Sequence, residues 1–78
     1  MRKFQLIKIL DYNDFRKPVN YVYEIDGNEL DSILDQVPEV GDKGYNVKWQ
    51  LLNIGKATFR GKSNVTVRLI LKELNKLH

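Results

Sequence analysis

From Val19 to Ile25 an apolar side chain falls on every second residue, and the same beat returns over residues 45–51, 56–60 and 65–71. A period of two is the pattern of a strand with one covered face. Val19, Tyr21, Tyr23 and Ile25 share a face against Asn20, Glu24 and Asp26, with Val22 as the exception. Tyr45, Val47, Trp49 and Leu51 oppose Asn46, Lys48 and Gln50. Ala57 and Phe59 oppose Lys56, Thr58 and Arg60; Val65, Val67, Leu69 and Leu71 oppose Thr66, Arg68 and Lys72, with Ile70 out of phase. Residues 3–10 are apolar on both sides, with Phe4, Leu6 and Leu10 on one and Ile7 and Ile9 on the other, which suits an inner strand.

Turn chemistry separates these runs. Asp11, Asn13 and Asp14 bond readily to nearby backbone, and Pro18 fixes the chain before the second run. Gly41 to Gly44 reads as a loop, Asn53 to Gly55 as a turn or bulge, and Gly61 to Asn64 as a hairpin loop. One segment breaks the alternation. Leu30, Ile33, Leu34 and Val37 recur at helical spacing, Asn28 and Asp31 suit a capped start, and Pro38 ends the run. The spacing therefore predicts one short helix around residues 28–37. The last residues fit either a strand to about 71 or a helix; Val65, Thr66 and Val67 favour the strand.

Residues 1–78 then read as a single α+β domain with a small, mainly antiparallel sheet of about five strands. Such a sheet can curl into an SH3-like or OB-like barrel or stay open with the helix on one face. Trp49, Phe59 and Tyr45 fall on apolar strand faces and are expected in the core.

Side-chain chemistry narrows the function. The chain has no cysteine, and its single histidine is His78, so a disulfide scaffold, a thiolate metal site and cysteine or histidine catalysis are set aside. Gly55, Gly61, Lys62 and Ser63 approach a phosphate-binding loop, but five residues separate the glycines where the motif needs four, and those five read as strand. The carboxylates between Asp11 and Asp42 lack the spacing of a calcium loop. No enzyme activity, cofactor or metal is expected. No apolar run is long enough to span a membrane and no signal-peptide core follows Met1, so a cytoplasmic protein without membrane contact is expected.

Charge is the remaining signal. Residues 1–42 hold five basic and nine acidic residues, a net of −4; residues 43–78 hold eight basic and one acidic, a net of +7. If residues 45–52, 56–60 and 65–71 form a meander, Lys48, Lys56, Arg60, Arg68 and Lys72 share its polar face, with Lys62 at a hairpin tip. Crowded cations suit phosphates, which makes nucleic acid or a nucleoprotein the expected partner of these six residues. With Trp49 and Phe59 on the opposite side, contact with the backbone rather than base stacking is expected. The plainer reading is a solvated outer face whose cations discourage edge aggregation. An acidic protein is the other partner these cations suit, and the alternative function is a protein-binding inhibitor or adaptor, of the kind mobile elements carry, using the acidic helix side (Glu29, Asp31 and Asp35) on a basic partner, or a strand edge.

Overall fold

A computed structural model describes residues 2–74. Four strands form one open antiparallel sheet: β1 (Lys3–Asp11), β2 (Val19–Asp26), β3 (Lys56–Arg60) and β4 (Thr66–Glu73), in the order β2-β1-β4-β3. Between β2 and β3 the chain crosses one face of the sheet through two 3-10 segments, Gly27–Gln36 and Pro38–Lys43, and a helix, α1 (Gly44–Asn53). The class is α+β, as the sequence predicts; the sheet has four strands rather than five and does not close into a barrel.

The missing strand is α1. Its alternation also satisfies helical spacing, because Val47 and Leu51 are four apart and so are Tyr45 and Trp49. The helix buries Val47 and Leu51 against the sheet and turns Tyr45 and Trp49 to solvent, where they are 84% and 53% exposed. These two rings are therefore not core, whereas Phe59 is. The helix stops at Gly55, whose φ of +91° a side chain would disfavour. The Gly55 amide donates to the Leu51 carbonyl at 3.1 Å, and the Ile54 amide to that of Gln50 at 2.7 Å.

The segment expected as a helix around residues 28–37 lies where the sequence places it, but it is 3-10 and kinked at Ser32 (φ −103°, ψ 17°). It begins earlier than expected: Asp26 takes the N-cap position, and its backbone amide donates to Glu29 Oε1 at 3.1 Å. Ile33 and Val37 are its fully buried anchors.

β1 is the inner strand predicted by its two apolar sides, with β2 on one flank and β4 on the other. Leu6, Leu69 and Val67 from the covered face meet Ile33, Val37 and Leu51 from the layer above. The β3–β4 hairpin turns at Lys62–Asn64, where Ser63 and Asn64 take positive φ. β2 is an edge strand covered only towards its Asp26 end, so Ile25 is buried while Val19 and Tyr21 remain exposed. Among the described residues no helix is long and apolar enough to cross a membrane. Of the stretch 72–78 left open between strand and helix, Lys72 and Glu73 end β4 and Leu74 follows without helix, its amide donating to the Lys3 carbonyl at 2.7 Å; residues 75–78 lie outside the described residues.

Candidate nucleic-acid interface

The face of the sheet turned away from α1 carries no covering element among the described residues. Strand register fixes its pattern. One row reads Val22, Ile7, Ile70, Lys56 from edge to edge, and the next reads Asn20, Ile9, Arg68, Thr58. On either side, Arg60 stands opposite Thr66, with Asp11 beyond, and Lys72 stands opposite Gln5, with Glu24 beyond. The centre is apolar and half-buried, through Ile7, Ile9 and Ile70. The β2 edge is acidic, and the β3–β4 side is basic.

Of the six expected cations, four are brought together: Lys56 and Arg60 on β3, Arg68 and Lys72 on β4, all exposed. Arg68 lies diagonally across from both Lys56 and Arg60, and Lys72 diagonally across from Lys56. Diagonal neighbours sit about 7–8 Å apart, so the order Arg60, Arg68, Lys56, Lys72 forms a zigzag strip. It runs roughly 20 Å along the strands. Two like charges at that separation repel by about 0.5 kcal/mol in water before screening. Thr58 and Thr66 stand among them, and the Thr66 hydroxyl is held by Asn13 Nδ2 at 3.0 Å.

Neighbouring side chains contact the strip. Arg68 Nη1 is 3.9 Å from Asp11 Oδ2, at the limit of an ion pair. Arg60 Nη1 donates to Asn64 Oδ1 at 3.0 Å. Glu73, the one acid of the second half, is turned to the other side of the sheet. There it takes a two-pronged contact from Arg2, Nε to Oε2 at 2.9 Å and Nη2 to Oε1 at 3.0 Å. Those hydrogen bonds, reinforced by the charge, hold the Glu73 carboxyl below the usual carboxylate range. The same happens to Asp14 beside Arg16.

Two expected members are elsewhere. Lys48 belongs to α1, on the opposite side of the sheet, where its ammonium donates to the Asp31 carbonyl at 3.0 Å and lies 3.8 Å from Asp31 Oδ1. Only a strand over residues 45–52 would place it in the strip. Lys62 sits in the hairpin turn, lining a 380 Å³ cleft with Tyr12, Glu39 and Val65 among others. The acids of the alternative site, Glu29, Asp31 and Asp35, are exposed on the first 3-10 segment. Among the described residues no three His, Cys, Asp or Glu side chains gather closely enough to hold a metal ion.

Sequence reasoning missed a buried charge. Lys8 lies on the covered face with Phe4, Leu6 and Leu10 and is only 5% exposed. Its ammonium meets both Glu39 carboxylate oxygens at 3.1 and 3.2 Å and the Gln36 carbonyl at 3.3 Å, beside the rings of Tyr21 and Tyr23. The signal was a lysine in the apolar phase of an inner strand, a position that requires an acid from elsewhere.

Comparison with protein-family models, with curated proteins and with solved structures finds no match to this chain.

Proposed function

We propose that this protein is a non-enzymatic binding module that contacts a nucleic-acid backbone, free or within a nucleoprotein, through Lys56, Arg60, Arg68 and Lys72. The observation that carries this reading is the zigzag of four cations on an uncovered sheet face. A phosphate chain laid along the strip relieves the repulsion between neighbours and releases counterions. No aromatic ring of β3 or β4 shares that face, since Phe59 is in the core, so base stacking plays no part and sequence selectivity is expected to be low.

Fluorescence anisotropy with a labelled duplex and a labelled single strand tests it. Four phosphate contacts imply that affinity falls roughly 50–150-fold between about 50 and 200 mM salt. Lys56→Glu combined with Lys72→Glu should remove most binding at the lower salt. Absence of binding at low salt, or binding that the double charge reversal leaves intact, contradicts the reading.

The second reading, a protein-binding inhibitor or adaptor, draws on the β2 edge. It is an uninterrupted eight-residue edge strand with Val22 57% exposed, a template for strand addition. A salt-resistant protein complex lost on Val22→Lys, without oligonucleotide binding, would favour it over the acidic side at Glu29, Asp31 and Asp35.

A further inference from the structure

α1 is apolar on two sides. Val47 and Leu51 face the core. Tyr45, Trp49 and Leu52 recur at i, i+4 and i+7, so they form one stripe on the outer side. All three are exposed, Leu52 at 42%. Tyr45, Lys48, Trp49 and Leu52, with Asn53, enclose a shallow cleft of about 250 Å³. Positions i, i+3, i+4 and i+7 are the four corners of the hole that receives a side chain from a facing helix.

We propose that this stripe is a homodimer interface, α1 packing antiparallel on α1 of a second copy about a two-fold axis. Charge selects the occupant. Among the ten residues of α1 only Lys48 is ionised, and its ammonium is already engaged by Asp31. A strongly charged partner finds nothing complementary on the stripe, whereas a second copy meets no net like charge there. The two-fold also brings each flank against its own counterpart. On one flank the Lys48–Asp31 pairs of the two copies alternate in sign, and the Asp31 side chain, 97% exposed, is open to the second ammonium. On the other flank Asn46 and Gln50 carry amides, which both donate and accept and so complement themselves. Antiparallel helices also oppose their dipoles.

Area sets the strength. An aromatic side chain offers roughly 150–250 Å², so the open parts of Tyr45 and Trp49 with Leu52 amount to about 400 Å² per copy. With its polar rim the pair reaches about 1,000 Å², the lower bound of a specific interface. A micromolar dimer is expected. The contact uses the side of the molecule opposite the cation strip, so it stands or falls independently of nucleic-acid binding.

Sedimentation velocity from about 5 to 500 µM without nucleic acid tests the proposal. Trp49 is the sole tryptophan, so its emission reports on the contact directly. The expected result is a monomer that becomes a dimer as concentration rises, with emission shifting to the blue. Trp49→Glu and, separately, Tyr45→Glu should hold the chain monomeric at every concentration while circular dichroism stays that of the wild type. Asp31→Lys should weaken the dimer several-fold, and adding Lys48→Asp should restore it. A monomer with unchanging emission up to 500 µM overturns the proposal. So does a dimer that survives both glutamate substitutions, which puts the contact elsewhere, for example on the β2 edge.

Discussion

Residues 45–51 and residues 65–71 have the same alternation of apolar and polar side chains, yet one run is a helix on the covered side of the sheet and the other is mostly a strand with its polar side open. Composition and punctuation separate them. The later run opens with Val65, Thr66 and Val67, branched side chains that fit a pleated surface. The earlier one has a single β-branched residue, Val47, among lysine, glutamine and leucine, which lose little freedom in a helix. It also ends at Gly55, which supplies the positive φ of a helix C-terminus. The functional consequence is large. In the strand, alternation exposes Arg68 and Lys72 beside Lys56 and Arg60; in the helix, it exposes Tyr45 and Trp49 and carries Lys48 away from the other cations.

The largest effect that could break this comparison is on stability. Leu51→Ala, deep beneath α1, should cost about 2–5 kcal/mol, whereas Trp49→Ala should cost less than about 1 kcal/mol. Denaturant unfolding of the two variants decides: a Trp49→Ala loss equal to that of Leu51→Ala would mean residues 45–52 lie flat as a strand with the ring inside.

The covered and open faces differ in charge as well, and Lys8 is the buried exception among the described residues. Glu39→Ala strands its ammonium and should destabilise by about 3 kcal/mol, the lower end of the range for broken buried pairs because Glu39 is partly open to water. Lys8→Met should recover most of that loss in the double variant. Lack of recovery would show that Glu39 acts through something other than Lys8.

The smallest effect concerns the Arg2–Glu73 pair, which keeps the second half's one acid on the side away from the cations. Because the folded carboxyl is held below its ordinary value, the pair stabilises at pH above the unfolded carboxyl's range. That contribution fades as pH falls through the folded value. Thermal midpoints of wild type and Arg2→Ala should therefore differ slightly at neutral pH and converge in acid. A gap that persists in acid would assign the effect to packing of Arg2 over Phe4 instead.

Much of the fold was legible. All four strands, the 61–64 hairpin and the inner place of β1 followed from period, turn residues and two-sided hydrophobicity. What escaped was local ambiguity settled by tertiary contacts. Spacing alone cannot choose between periods when Val47–Leu51 and Tyr45–Trp49 satisfy both, and no pattern announces that residues 27–36 are 3-10 or that they break at Ser32. Four of the six expected cations come together because the period of two marks β3 and β4 where they lie. Lys48 left with its helix, and Lys62 left because a turn residue has no fixed side of the sheet.

Backbone amide shift mapping during titration with a short oligonucleotide at about 50 mM salt tests the two-sided assignment most directly. Perturbations should gather at Lys56, Thr58, Arg60, Arg68 and Lys72 and leave Tyr45, Trp49 and Leu52 unmoved. Shifts concentrated on α1 and the acidic 3-10 segment, or no shifts at all, would contradict it.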